Sequence, residues 1–290
     1  MTPPGSTQVP SDPARTRTHA YREGARMARA RISRDAPVDA AALADVEAAD
    51  IVVVPGIYDH VERVLEALEM PCTRIASGQL LEVGLRPEQL LVINCPGEVP
   101  ERAIPRIRDF VASGGSLFAT DWALKNVVQP AFPGTVELRQ APTADDVVPI
   151  EILDHDNPFL AGVMDDQDDP QWWLEGSSYP ITVVDPARVN VLISSREMDR
   201  RYGEASIAIL IPWGDGEVFH MVSHYYLQRT ELRTDRHRLG ATNYYAEKDM
   251  AVPMGAELDG LSLGDLESAA TSSRLIANVI ARKKRKGEER

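Results

Sequence analysis

Three side chains are of types that do chemistry and stand where one sheet could gather them: Cys95, Asp121 and His224. Each follows a short, mostly apolar run that reads as a strand. A cysteine becomes a thiolate nucleophile when a base or a helix N-terminus lowers its pKa. A carboxylate beside an imidazole is an acid–base pair. Cys95 precedes Pro96-Gly97, however, and reads better as a small core residue closing a strand. His220 and His224 lie four apart on one strand and so share a face. No third ligand stands at a fixed spacing from them, so His220 is expected to be structural, and neither a metal nor another cofactor is expected. Tyr58, Asn94, Glu98 and Trp122 join Asp121 and His224 as the expected ligand-binding set, with Lys125 at its border.

The elements that must position these residues run through Leu90–Asn126. Leu90–Ile93 is continuous and apolar, the pattern of a strand buried on both faces. Val99, Ala103, Ile104, Ile107, Phe110 and Val111 then recur at helical spacing, and Gly114-Gly115 supplies the positive-φ exit. Ser116–Ala119 starts the next strand. This βαβ unit predicts parallel strands and a right-handed crossover. Ligands of such a sheet sit beyond its carboxyl ends, which here are Asn94–Gly97 and Thr120–Ala123. Upstream, Ile51–Val54 predicts another buried strand. A helix follows on Val61, Val64, Leu65 and Leu68 with Asp59 as its cap, and Thr73–Ala76 reads as a weak strand. The expected fold is α/β: a flavodoxin-like, doubly wound, mostly parallel sheet with antiparallel strands added in the C-terminal half.

That second half is less regular. Val136–Arg139 and Val147–Leu153 read as strands. The acidic loop Asp165–Pro170 lacks the spacing and glycine of a calcium loop and reads as solvated. Trp172-Trp173 cannot both enter one core from an extended backbone, which predicts one core and one rim ring. Val189–Ser194, Ser206–Ile211 and Glu217–Ser223 predict three further strands, the last two joined as a hairpin through Pro212–Gly216. Residues 225–256 read as a surface excursion and Leu261–Arg282 as a closing helix.

Charge divides the chain unevenly. The net charge is −13, yet residues 1–34 carry seven arginines against Asp12 and Glu23, and residues 281–290 carry six basic side chains against Glu288 and Glu289. The expected organisation is a disordered basic tail (1–35), one α/β domain (36–282) and a basic tail (283–290). Prolines in residues 1–13 motivate the disorder; Arg15–Ile32 could form an arginine-rich helix, interrupted by Gly24 and without an evident apolar face, and charged tails of this kind stay solvated or fold back on the acidic body. The acidic body repels polyanions, so nucleic acid is not expected except through the tails. No apolar run approaches the ~20 residues of a membrane span, and the N-terminus lacks the apolar centre of a secretory signal. Two cysteines are too few for a disulfide framework. A cytoplasmic protein is expected, and homo-oligomer formation is left open.

The order of strand, Pro-Gly turn, helix ending in Gly-Gly, strand and sharp turn resembles the class I glutamine amidotransferase-like superfamily. Its non-catalytic and trehalose-utilisation-like branches are the nearer match, over residues 48–228. In catalytic members the strand after the Gly-Gly enters an elbow of the form Gly-x-Cys-x-Gly. The matching stretch, Ala119-Thr120-Asp121-Trp122-Ala123, keeps small flanking residues and puts Asp121 in the nucleophile's place. The superfamily's histidine follows a late strand as His-x-Glu. Here His224 matches without a Glu two residues on. Glutamine hydrolysis needs a thiolate to form a thioester, so the resemblance implies a domain without glutaminase activity that binds a small molecule or a protein partner at the old site. Asp121→Cys alone is expected not to restore glutaminase, for want of the His-x-Glu partner. Two other readings stay open. One is a hydrolase using Asp121 and His224, with Cys95 a candidate nucleophile; the other is a structural module whose basic tails bind a polyanion.

Overall fold

A computed structural model describes residues 13–225 and 229–288. The strands are β1 (Ile51–Val54), β2 (Thr73–Arg74), β3 (Leu90–Ile93), β4 (Ser116–Thr120), β5 (Val136–Leu138), β6 (Asp146–Pro149), β7 (Glu151–Ile152), β8 (Gln171–Leu174), β9 (Ile181–Val183), β10 (Asn190–Ser194), β11 (Ser206–Trp213) and β12 (Gly216–Met221). The helices are α1 (Pro13–Asp35), α2 (Pro37–Ala44), α3 (Val61–Ala67), α4 (Ala103–Ala112), α5 (Gln129–Ala131), α6 (Arg196–Tyr202), α7 (Ala241–Glu247) and α8 (Leu263–Glu288).

Eight strands form the main sheet in the order β2-β1-β3-β4-β12-β11-β10-β7. The first five are mutually parallel, and β11, β10 and β7 extend the sheet antiparallel. Every residue of β1, β3, β4 and β12 is buried. That explains why these runs are apolar without alternation: both faces are covered. The α/β doubly wound fold is therefore established, and its five parallel strands follow the flavodoxin-like order. In that order the chain reverses direction across the sheet between β1 and β3, which opens a crevice beyond their carboxyl ends.

The strands of the βαβ pattern are parallel neighbours as expected, with Leu90 opposite Ser116 and Ile51 opposite Leu90. The predicted strand Val147–Leu153 divides into β6 and β7 because its halves pair with different partners, β8 and β10. β2 keeps only Thr73–Arg74, both exposed at the sheet edge. The excursion after His224 contains α7, whose Tyr244 and Tyr245 are buried. The two tryptophans divide as alternation requires: Trp172 is wholly buried and Trp173 partly so. The acidic loop does not simply face water, because Lys248 Nζ lies 2.6 Å from both Asp165 and Asp168.

The basic tails are corrected most. Residues 13–35, within the stretch expected to be disordered, form α1 and lie along α8. Tyr21, Ala25, Met27, Ala28 and Ile32 of α1 are buried in the core. Residues 1–12 lie outside the described residues. The arginine-rich helix over Arg15–Ile32 forms; what the arginines hid is its apolar face, because they bring its mean hydropathy down while standing beside acidic groups of the same chain. Arg29 pairs with Glu69, Arg26 with Glu23, and Arg22 with Glu257. At the other end, residues 283–288 continue α8 instead of leaving it as a tail. Lys283 Nζ donates to the Gly114 carbonyl (2.6 Å) and Lys284 to Asp50 (2.8 Å). Arg22, Arg29 and Lys284 of the basic ends thus fold back on the acidic body, the reading that their charge favoured over a polyanion partner.

Gly24 shows how closely α1 and α8 approach. A Cβ there would lie 2.7 Å from the Ala269 carbonyl carbon and the Ala270 nitrogen, both backbone atoms. In an isolated helix Gly→Ala stabilises by about 1 kcal/mol. Here overpacking should reverse the sign, at a cost of roughly 1–3 kcal/mol. Gly24→Ala is expected to lower the melting temperature by several degrees, and a rise would refute the close packing.

Candidate functional site

The crevice is built by the turns that follow β1, β3, β4 and β12. After β1, Gly56 lets the chain pass against β3's exit: a Cβ there would fall 2.1 Å from the Cys95 carbonyl oxygen. That oxygen accepts from the Ile57 N–H (3.0 Å) and the Tyr58 N–H (3.3 Å). Ile57 and Tyr58 are thereby held at the lip, both exposed. After β3, the Cys95 N–H donates to Thr120 Oγ1 (3.1 Å), which fixes the β3 exit against β4.

After β4 comes the elbow. Asp121 has φ 44°, a left-handed conformation that is uncommon outside glycine and costs of order 1 kcal/mol or more. Its N–H donates to the Met221 carbonyl of β12 (2.8 Å), and its carbonyl accepts from Leu124 N–H (2.9 Å) as a π turn, Leu124–Val128, begins. A sharp turn of this kind lifts the central side chain out of the sheet. Trp122 Nε1 donates to the Ser177 carbonyl (2.8 Å), fastening the elbow to the Glu175–Ser178 turn that follows β8.

His224, just past β12, completes the floor. Its Nε2 lies 3.0 Å from Asp121 Oδ2, and its Nδ1 meets Glu175 in a close contact on the other side. Trp173 meets the imidazole edge-on, with centroids 6.2 Å apart. Cys95 Sγ lies 3.5 Å from the same Asp121 oxygen. Asp121 Oδ1 is buried and has no hydrogen-bond partner among the described residues. The cleft above holds about 390 Å³, with Ile57, Tyr58, Glu98, Trp122 and Ser177 around its walls. A second hollow of about 500 Å³ adjoins it across Ile57, Pro96 and Glu98 and reaches Arg74 and Ser77.

The fold thus brings together Cys95, Asp121 and His224, with Tyr58, Glu98 and Trp122 lining the cleft over them. Asn94 is corrected. It is buried below the floor, where Oδ1 accepts from the Val61 N–H (3.1 Å) and Nδ2 donates to Glu62 (3.0 Å). It caps α3, the task expected of Asp59. Asp59 instead accepts from the Tyr225 N–H (2.8 Å), holding the segment that carries His224. Lys125 stands outside the cleft over the Trp122 ring, 5.5 Å from its centroid. His220 is wholly buried within β12, where burial pushes its pKa down to about 3, so it stays neutral in the core.

Glu175 was missed. It sits 49 residues before its partner His224, in a turn-rich stretch whose sequence offered no sign beyond a carboxylate at a strand end. Its contact changes the electrostatics. Burial disfavours the imidazolium, but hydrogen bonds to Asp121, Cys95 and Glu175 outweigh it and raise the His224 pKa. The proton therefore stays on His224, between two carboxylates. Burial pushes the Asp121 carboxyl up against the pull of His224. Burial also pushes the Cys95 thiol up; His224 offsets part of this and the Asp121 charge adds to it. Cys95 is then a thiol at neutral pH and a poor nucleophile. With Asp121, Glu175 and Glu98 around one imidazolium, the site favours a cation or a strong hydrogen-bond donor.

No family model matches the chain, and no curated protein matches it. Solved structures resemble parts of it. A β-galactosidase from Rahnella sp. R3 aligns at 14% identity over 72% of this chain and 33% of its own, with a TM-score of 0.45. An exo-β-1,4-mannosidase from Opitutaceae bacterium strain TAV5 aligns at 12% identity over 60% and 31%, with a TM-score of 0.42. The cytoplasmic protein STM3548 from Salmonella typhimurium aligns at 11% identity over 61% and 88%, with a TM-score of 0.42. The chain spans about a third of the length of these two glycosidases. Likenesses this distant carry no chemistry across. Among the described residues, no helix is long and apolar enough to cross a membrane.

Proposed function

We propose that this chain is an amidotransferase-like domain without glutaminase activity, whose crevice binds a small molecule bearing a cationic or hydrogen-bond-donating head. The observation that carries the reading is Asp121 at the strained elbow, its carboxylate facing His224 at the foot of an open cleft. Thioester chemistry needs a thiolate there, and Cys95, on the neighbouring strand, is held as the thiol. The flavodoxin-like strand order and the histidine at the exit of β12 support the superfamily assignment. The exposed Ile57 and Tyr58 at the lip suit an apolar body behind the head.

The test uses a panel of alkyl- and arylammonium compounds, read by thermal shift and tryptophan fluorescence. At least one is expected to raise the melting temperature of the wild type. Asp121→Asn should weaken that binding tenfold or more while melting within a few degrees of wild type. Asn tolerates the left-handed φ and still accepts from His224, and it removes a charge that burial penalises. Glutamine hydrolysis by the wild type, lost in Asp121→Asn or Cys95→Ser, would overturn the reading.

Glu175 favours a second reading, a hydrolase. Asp121, His224 and Glu175 stand in one line, with the protonated His224 placed as a general acid and Glu175 orienting it. Turnover of activated esters that depends on both His224 and Glu175 would establish it.

A further inference from the structure

The floor of the crevice gathers a set of donor atoms that its role as an acid–base pair leaves unexplained. Cys95 Sγ, a carboxylate oxygen of Asp121 and a ring nitrogen of His224 lie within 4.8 Å of one another, and all three residues are buried. They come from the exits of β3, β4 and β12, adjacent strands of one rigid sheet. Two edges of the triangle are specified, at 3.0 Å from His224 Nε2 to Asp121 Oδ2 and 3.5 Å from Cys95 Sγ to the same oxygen. Zinc ligands at about 2.0–2.3 Å in tetrahedral array lie roughly 3.3–3.7 Å apart. The three atoms therefore need shifts of only a few tenths of an ångström along these edges to share one ion.

Two independent observations point the same way. Asp121 Oδ1, on a residue 3% exposed, has no hydrogen-bond partner among the described residues. The Ser178 hydroxyl also contacts this carboxyl, and Oδ1 keeps a lone pair for an occupant of the crevice floor. The second is the contact of Glu175 with His224 Nδ1. A carboxylate behind a histidine fixes the ring, so an incoming metal ion that displaces the Nε2 and Cys95 thiol protons into solvent meets both lone pairs in place, an arrangement typical of histidine-ligated zinc. Cys95, Asp121 and His224 all line the cleft of about 390 Å³, which has room for a further ligand.

We propose that the crevice floor is a divalent transition-metal site in which Cys95 Sγ, Asp121 and His224 Nε2 hold the ion, Glu175 orients His224, and the cleft supplies an open fourth position for a ligand. The mixed sulfur, nitrogen and oxygen set suits Zn²⁺ or Co²⁺ and disfavours Mg²⁺ and Ca²⁺, which take oxygen ligands. Three protein ligands with one open position are the pattern of a metal that engages a bound molecule, not of a purely structural ion. The proposal rests on the crevice being a binding site and goes beyond that reading: the ion takes the place beside Asp121, where an ammonium head would compete with it.

The experiment titrates chelator-treated, full-length protein with Co²⁺ and with Zn²⁺. One equivalent of Co²⁺ is expected to bind, with visible bands of tetrahedral intensity and a near-ultraviolet charge-transfer band from the thiolate. Zn²⁺ should displace it, and Mg²⁺ in large excess should not. Cys95→Ser, nearly isosteric, should abolish the charge-transfer band. Glu175→Gln, which touches no metal, should keep the spectrum and weaken affinity about 10–100-fold. Asp165→Asn, in the acidic loop far from Cys95 in sequence, should change nothing. Absence of a stoichiometric cobalt spectrum, or a spectrum indifferent to Cys95→Ser, would overturn the proposal. If ammonium probes still bind and depend on Asp121 while no cobalt spectrum forms, the metal site fails alone. If the cobalt spectrum forms and no ammonium probe binds, the ammonium-type head fails and the metal site stands.

Discussion

A chain starting at Ala36 is expected either to be insoluble or to melt about 10 °C or more below the full-length protein. The missing segment includes α1, whose Tyr21, Met27 and Ile32 are each 3% exposed or less, along with Ala25 and Ala28. A large apolar side chain fully buried is worth roughly 1.5–3 kcal/mol. Three of them already compare with the ~5–15 kcal/mol that holds an ordinary domain together. The partner surface suffers as well. Ala269, Ala270 and Ser272 of α8 would meet water, and Tyr21 would no longer donate to the Tyr225 carbonyl one residue from His224. Removing residues 1–12 alone is the control. Thermal melts and solubility of the two truncations decide the point. A chain from Ala36 that melts like wild type would show that α1 is dispensable.

Asp121→Cys is expected to create a thiol that iodoacetamide alkylates at neutral pH at least about tenfold faster than either natural cysteine, because a histidine partner converts thiol to thiolate. The new sulfur would stand at the elbow beside His224 Nε2, with Glu175 behind Nδ1. The natural thiols make a quiet background, since burial raises the pKa of both Cys72 and Cys95. The expectation that this variant lacks a third catalytic partner is corrected by Glu175, which arrives from the turn after β8 instead of two residues beyond the histidine. Chelator-treated protein should be used, with the modified peptide located by mass spectrometry. Glu175→Gln in the same background should slow the labelling. A rate equal to wild type would show that the His224 ring does not activate a group at the elbow.

How far the sequence reached depended on whether the information was local. The strands β1, β3 and β4 were legible as short apolar runs, and α4 from its spacing and its Gly-Gly exit, because backbone preference and burial coincide there. Their parallel pairing followed from the crossover, and the crevice from the place where parallel strands end. Asp121 and His224 were legible as a pair because both stand at strand exits. Asn94 stood equally close to the site in sequence, but its buried amide accepts from the Val61 N–H at the start of α3 below the floor. Position along the chain cannot distinguish those two sides of a turn.

The sequence by itself determined the layered α/β architecture, the edge at which Cys95, Asp121 and His224 gather, and the presence of a carboxylate at the turn after β4. These rest on periodicity, turn residues and residue type, all of which act over a few positions. Only the tertiary structure decided that the arginine-rich segment is a packed helix. Its apolar residues find their partner in α8, more than two hundred positions away, and its charges find theirs on the acidic body. Only the tertiary structure, too, set Glu175 behind His224 and Cys95 beside Asp121. The electrostatics of the site are therefore a property of the sheet's closure: charges that are far apart along the chain interact strongly once burial has removed the water between them.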